Sequence, residues 1–346
     1  MSARPLQLGL MTLGDWLPDP ATRRHAMPQA GRQRNFVDQA VWAEAAGFHS
    51  VHLGEHHFSD YILSAPPVVL AAIAERTDRI RLSTATTLAA NLDPLRVAED
   101  YATVDQLSGG RVELVMGKGA FSDTFRAFGQ PWEEADLRYV ENVELLLRVW
   151  NEEDVSCSPR FRAPLQGITV QPRPLQSPHP PVWIGSAGGS VELAARNGLP
   201  LMLPSVFGPA QLFQPARDLY LERWEAHGRD PADARVGTCA HCFVARDSQE
   251  ARRRWLPYYD QYLRWASALL ARQHQPMDFD WRAESFIDEV AMCGSPAQLV
   301  ERIGKLRESL GTQRHLVMFD PGGLPAAELR ACIELFGSEV IPALAK

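Results

Sequence analysis

The stretch IRLSTATTLAANLDPLRVAEDYATVDQLSGGRVELVMGKG, residues 80–119, contains one complete structural repeat. Residues 80–88 are rich in Ile, Leu and Thr, the composition of a buried strand. Asp93 and Pro94 then supply a helix cap and a first helical residue, and the helical pattern that follows closes on the pair Gly109–Gly110. Residues 111–119 form a second short apolar run. A strand, a helix and a strand in this order predict a βα unit of a parallel sheet.

The same alternation continues in both directions. Further strands are predicted at 6–13, 50–57, 181–187, 200–206, 235–245 and 314–320, which brings the total to eight. In RNFVDQAVWAEAAGF (34–48), Phe36, Val37, Ala40, Val41 and Ala45 form one stripe, and Gly47 stands where a left-handed C-terminal cap would end the helix. GSPAQLVERIGKLRESLG (294–311) opens with Ser295 as cap and Pro296 at the first helical position, and it stops at Gly311. Eight strand–helix repeats in 346 residues fit an α/β fold of the (β/α)8 TIM-barrel type better than a doubly wound sheet. The expectation is a single domain over 1–346, with insertions at 155–181 and 250–293 that crown the C-terminal face of the strands, where such barrels carry their sites.

Composition narrows the function. A formal charge of −7 and the lack of any Lys/Arg block argue against nucleic acid, and RRHAMPQAGRQR (23–34) reads as a solvated loop. The N-terminal stretch shows neither a cleavable signal nor a span near twenty apolar residues, so no membrane partner and a cytoplasmic location are expected. Five cysteines, an odd number, suit a reducing compartment. In CAHC (239–242), Cys239 and Cys242 would face opposite sides of a strand and no second pair follows, so no metal is assigned.

Four stretches could carry chemistry. Glu55, His56 and His57 follow the second strand, at the end that faces a barrel site. Too few ligands converge there for a metal, and a histidine titrating near neutrality suits proton transfer beside a cofactor; a histidine merely hydrogen-bonded in the mouth is the structural reading. GSAGGSVELAARNG (185–198) is a strand, a glycine- and serine-rich turn and a helix start, which suits a terminal phosphate or a simple serine-capped turn. GKGAFSDTFRAFG (117–129) places Lys118 between two glycines, where it could pair with phosphate. STATTLAANLDP (83–94) has small hydroxylated residues that could line a slot for a flat ring.

Taken together, the EHHF after strand two, the TAT after strand three, DPLRVAEDYATVDQLSGGRVELVMGKG with DTFRAFG behind it, and GSAGGSVELAARNGLPLML resemble the bacterial-luciferase-like flavin monooxygenases, in order and spacing, over residues 5–205. That resemblance implies reduced FMN, as a dissociable co-substrate supplied by an NAD(P)H-dependent flavin reductase, together with O2 and a small organic substrate. It implies His56 as the acid/base residue and Glu55 as a neighbour of the ring. Ala85 and Thr86 would be joined by a cis peptide beneath the ring, and Lys118 would lie at the phosphate. Ser186, Ala187, Gly188, Gly189 and Ser190 would form the phosphate-binding turn. Gly117 stands where luciferase has a reactive cysteine, which implies a more open pocket. A homodimer is implied through helices around strands two to four, with PPVVLAAIAERT (66–77) suited to close packing. The alternatives are a deazaflavin-dependent oxidoreductase, whose acidic coenzyme would want basic residues such as Arg160, Arg162 and Arg173, and a flavin-binding protein without catalysis.

Overall fold

The computed structural model of the protein describes residues 5–185, 189–273 and 281–345. In chain order its first elements are β1 (Gln7–Thr12), α1 (Gln29–Ala45), β2 (Ser50–Leu53), α2 (Pro66–Ala74), β3 (Arg81–Thr84), β4 (Thr87–Leu88), α3 (Pro94–Leu107) and β5 (Leu114–Gly117). There follow α4 (Ser122–Ala127), α5 (Ala135–Asn151), the hairpin β6 (Val155–Cys157) and β7 (Leu165–Ile168), β8 (Val182–Gly185), α6 (Ser190–Asn197), β9 (Leu201–Met202) and α7 (Gln214–Ala226). The last are β10 (Val236–Val244), α8 (Ser248–Arg272), α9 (Ala283–Glu289), β11 (Met292–Gly294), α10 (Pro296–Leu310), β12 (Thr312–Met318) and α11 (Ala326–Leu335).

The main sheet is parallel and runs β3-β2-β1-β12-β10-β9-β8-β5-β4, with β11 added beside β10. Every predicted strand has its counterpart in this path. The run 80–88 is split, because the peptide between Ala85 and Thr86 is cis and separates β3 from β4. The lower half, β3, meets the strand leading into β5 through the Leu82–Val112 bridge, while β4 pairs with β5 from Thr87 opposite Met116. Those two pairings bring the ends of the path together as a (β/α)8 barrel.

Local sequence explains the helix limits. Asp93 accepts from the backbone N–H groups of Leu95 and Arg96, and Ser295 from that of Gln298, so each satisfies orphan donors of a first turn. Gly311 takes a left-handed conformation at φ 66°, which ends α10 without the steric cost a side chain would bring. β10 is buried along its whole length, the pattern of a strand covered on both faces.

The two insertions take different courses. After β10, α8 rises from the C-terminal ends of the strands, and Tyr262 and Trp265 on it meet Tyr61 at the mouth. Gly322 and Gly323, in the loop after β12, lie so close to it that a Cβ on Gly322 would stand 2.1 Å from the Tyr258 carbonyl oxygen. Residues 155–181 do not share that course. They connect the end of a helix to the start of a strand, which in this topology lies at the N-terminal end of the barrel. Gln176 accepts from Arg81 at the start of β3 and donates to Asp105 near the end of α3 and to the Val112 carbonyl, so the second half of this segment wraps the floor, whereas the tip of its hairpin runs along α5 to Glu141 and reaches Asp93 at the start of α3 through Arg162.

The barrel floor is also where the deepest charges pair. Glu113 accepts from Arg314 Nη1 at 2.7 Å and from Arg81 Nε at 3.1 Å, and the Arg314 guanidinium lies 4.5 Å from the centre of the Trp183 ring.

Candidate active site

β2 ends at Leu53, and the next residues turn across the barrel mouth. Within this turn the two histidines separate. His57 Nε2 lies 2.8 Å from Glu55 Oε1, and the other carboxylate oxygen of Glu55 accepts from the Leu88 N–H at 3.0 Å. The Glu55 N–H donates to Thr86 O. Glu55 therefore holds β4 from both its backbone and its side chain, and it does so while only 4% exposed. Its backbone N–H is committed to Thr86, so its link to a ring would run through the segment it fixes.

His56 faces the other way. Its backbone N–H donates to Leu63 O, its ring lies 4.2 Å from that of Tyr61 and 5.6 Å from that of Phe121, and its Nδ1 is buried with no hydrogen-bond partner. Burial is the main influence on this imidazole and pushes its pKa down to about 4; the nearby Gly54 carbonyl opposes the shift and His57 adds to it. His56 is thus neutral at physiological pH and able to accept a proton.

An aromatic wall stands over this histidine. The Tyr61 and Tyr262 hydroxyls lie 2.9 Å apart, Trp265 packs on Tyr61 at 4.6 Å, and Trp265 Nε1 donates to Asp60 Oδ2. His241 of β10, its pKa pushed down to about 3 by burial, is 2.9 Å from the Tyr259 hydroxyl through Nδ1. Beside the wall, Thr12 and Arg32 both donate to Asp320 Oδ2, while Asp15 accepts from the N–H groups of Gly322 and Gly323. Burial first, and the Asp320 carboxylate next, raise the Asp15 pKa well above the usual carboxylate range.

Other predicted positions lie nearby. A Cβ on Gly117 would stand 2.3 Å from Thr86 Oγ1, so the Thr86 side chain fills the space a cysteine would need, and the pocket is not simply more open. Gly185 is similarly bare, with Met116 O 3.1 Å and Thr86 Cγ2 3.5 Å from where its Cβ would be. Lys118 Nζ pairs with Asp136 Oδ1 at 3.0 Å and lies 5.0 Å from the centre of the Trp132 ring. Gly189 caps α6 with open space around it, and Ser190 is buried in the first turn of that helix. Ser186, Ala187 and Gly188 lie outside the described residues.

Several site residues were not anticipated: Tyr61, Asn91, Phe121 and His241, with the Asp15–Arg32–Asp320 group. Tyr61 and Phe121 sit within stretches already singled out, and WLPYYDQYLRW (255–265) carries aromatics at helical spacing, the one signal that could have joined them. Cys239 Sγ lies 3.6 Å from Leu203 O, whereas Cys242 neighbours Cys293 and Cys332, so the two thiols of CAHC do face different surroundings.

A parallel barrel with a buried, neutral histidine and an aromatic wall at the C-terminal ends of its strands defines the class: a (β/α)8 barrel with a proton-handling site at its mouth. The chain matches the luciferase-like monooxygenase family over residues 16–313 and belongs to it. Among solved structures, the monooxygenase RslO1 from Streptomyces bottropensis superposes with a TM-score of 0.84 at 30% identity, covering 97% of this chain and 99% of that one. The oxygenating constituent of 3,6-diketocamphane monooxygenase from Pseudomonas putida, in complex with FMN, gives a TM-score of 0.82 at 19% identity over 98% of each chain. The oxygenase component of a flavin-dependent trigonelline monooxygenase from Acinetobacter baylyi is 24% identical over 88% of each chain. Among the described residues no helix is long and apolar enough to cross a membrane.

Proposed function

We propose that the protein is the oxygenase component of a two-component flavin monooxygenase, which takes reduced FMN from a partner reductase and, with O2, oxygenates a small organic substrate. The observation that carries this reading is His56: a neutral imidazole at the barrel mouth of a luciferase-like chain, with a buried ring nitrogen that no protein group satisfies. The printed names of two relatives, an oxygenase component and an oxygenating constituent in complex with FMN, support it.

The residues present fit a flavin. Gly117 and Gly185 let the strand ends pack against Thr86, and Glu55 holds the same segment, so the Ala85–Thr86 floor on which a flat ring would lie is fixed from below and from the side. Ser190 and Gly189 at the start of α6, with Ser186, Ala187 and Gly188 before them, would bind the phosphate at a helix N-terminus. Lys118 would share its ammonium between Asp136 and that phosphate. When bound, reduced FMN supplies the activation of O2 and the transfer of one oxygen atom.

The chain itself positions the reactants and controls protons and water. His56 accepts or returns a proton at its imidazole beside the substrate. Tyr61, Phe121, Tyr262 and Trp265 exclude water and favour an apolar ligand. The floor formed by Ala85 and Thr86 stays fixed through Glu55.

A deazaflavin coenzyme is the alternative, and two of the three arginines it would want are engaged elsewhere. Arg173 donates to the carbonyls of Val149, Trp150 and Glu152 at the end of α5, and Arg162 pairs with Asp93. A visible-spectrum titration under anaerobic conditions with reduced FMN and with a deazaflavin tests the choice. Binding of the deazaflavin alone would overturn the FMN reading; binding of FMN without turnover of any substrate would leave a flavin-binding protein.

The homodimer belongs to the same proposal. Val68 on α2 is 70% exposed and, with Ala71 and Val104, borders a groove between α2 and α3 where a second copy would seat. A Val68→Asp variant that kept the wild-type mass in light scattering would remove this interface.

A further inference from the structure

A small cavity between β2, β4 and the loop after β5 is lined by Glu55, His56, Leu88, Asn91, Phe121 and Thr124, among others. A water-sized sphere can reach about 30 Å³ of it, and roughly 10–15 Å³ is enough for one water molecule. Two polar atoms of its lining residues, His56 Nδ1 and Asn91 Oδ1, are buried and satisfied by no protein group. Asn91 is 6% exposed. Such atoms are costly unless they share a ligand.

The orientation of Asn91 is fixed from behind. Its Nδ2 donates to Gln130 Oε1 at 3.1 Å, and Gln130 Nε2 donates to the Asn91 carbonyl at 2.9 Å. Turning the Asn91 amide would set its oxygen against Gln130 Oε1, and turning Gln130 to match would set that oxygen against the Asn91 carbonyl. Both flips replace attraction with repulsion, so Oδ1 is the atom left unpaired. Glu55 brings a second acceptor to the same lining, since a carboxylate oxygen bound by one N–H still has a free lone pair. With the Thr124 hydroxyl donating to one of the water's two lone pairs, that balance is unchanged.

A water molecule placed among these groups spends both hydrogens on the two obligate acceptors, Asn91 Oδ1 and Glu55. Only its lone pair remains for His56, and a lone pair requires an N–H. We propose that Asn91 is a positioning residue for His56: through one trapped water it fixes the imidazole as the Nδ1–H tautomer and leaves Nε2 unprotonated toward the mouth. His56 then acts on a substrate as a proton acceptor first, an assignment that rests on the flavin reading above for its place in a reaction but not for its chemistry.

The test begins with flavin-free wild-type protein carrying isotope-labelled histidine. Long-range proton–nitrogen correlation spectra, with the His56 signals assigned by their loss in His56→Gln, are expected to show Nδ1 protonated at neutral pH. A high-resolution crystal structure is expected to show one ordered water within hydrogen-bonding distance of His56 Nδ1, Asn91 Oδ1 and a Glu55 oxygen. An Nε2–H tautomer, or a dry cavity, overturns the proposal without any variant being made. Asn91→Leu should then mix the tautomers and lower turnover by about tenfold, part of what a general base contributes, at unchanged FMN affinity. An unchanged tautomer in Asn91→Leu, or a loss confined to FMN affinity, also overturns it. Failure of wild type to bind FMN sinks the flavin reading alone, because the tautomer is measured without flavin.

Discussion

The two ends of the barrel treat buried charge differently, although the floor too leaves one buried hydroxyl, Thr312 Oγ1 at the start of β12, without a partner. At the floor, Glu113 is matched by Arg314 and Arg81, Arg314 adds two bonds to Gln7 Oε1, and Trp183 covers the guanidinium. At the mouth, His56 Nδ1, Asn91 Oδ1 and Asp320 Oδ1 are buried without a protein partner. Leaving such atoms unmatched costs stability, and a chain tolerates that cost where a ligand, a water or a proton is to be handled. The floor is therefore read as holding the barrel, and the mouth as using it.

The largest effect that would sharpen this contrast is at the mouth. His56→Ala is expected to lower turnover by roughly 10²–10⁴-fold, the range for a lost general acid or base, while the urea midpoint moves little. Turnover at the wild-type rate would break the assignment. The complementary change is Arg314→Met. It leaves Glu113 with Arg81 alone of its two arginine partners and should cost up to about 3–5 kcal/mol of stability, measured by urea unfolding, with FMN affinity of the folded protein unchanged. A loss below about 1 kcal/mol, the worth of an exposed pair, would deny the floor its structural role.

Acid should reach the two ends in sequence. Above pH 6.5 the His56 imidazole is neutral in the folded and the unfolded chain; below it the unfolded chain takes up a proton that the folded chain refuses until about pH 4, so stability falls across that window. His52, His241 and His315, pushed down to about 3, 3 and 4 by burial, add to the same fall. For Glu113, burial would raise the pKa, but Arg314 and then Arg81 outweigh it and hold the group at about 2. Its contribution is full above 4.5 and is lost as pH falls toward 2. Urea midpoints against pH check the order: His56→Gln should lessen the slope between pH 6.5 and 4 by up to one proton, about 1.4 kcal/mol per pH unit. Glu113→Gln should flatten only the lower window, and a change in the wrong window counts against the reading.

The smallest expected effect concerns Lys118, which links the mouth to solvent. Lys118→Met keeps the contact with Trp132 and removes a pair to an exposed carboxylate, so stability should change by less than about 1 kcal/mol. FMN should bind roughly tenfold more weakly, as expected for one charge-assisted bond. Equal affinity by fluorescence quenching would take Lys118 out of the phosphate site.

Much of this arrangement was legible in the chain. Strand runs, capping residues and terminal glycines give local signals, and so the eight strands, Asp93, Ser295 and Gly311 fall where they were expected. The family resemblance placed the cis bond between Ala85 and Thr86. Glu55, His56 and His57 stood out together, but the sequence could not show that Glu55 ties His57 to Leu88 while His56 faces the other way, because that contact spans more than one strand. Tyr61 meets Tyr262 two hundred and one residues away, and no local pattern encodes such a pairing. The course of 155–181 was misread for a simpler reason: its length suggested a cover, whereas its place between a helix and a strand starts and ends it at the floor, and only the tip of its hairpin reaches back to Asp93.

The glycine pair in the loop after β12 has its own consequence. With Gly322 against the Tyr258 carbonyl, Gly323 2.4 Å from the Leu17 carbonyl oxygen at its missing Cβ, and Gln261 donating to the carbonyls of Pro18 and Gly322, α8 is docked through main chain. Beneath these contacts Trp255, Tyr259 and Leu263 bury the inner face of the helix in the core, so its seat depends little on the residues it displays at the rim. A library that varies Tyr262 and Trp265 would change what the mouth admits while the scaffold stays put, whereas a single methyl group added at Gly322 would lift the whole rim.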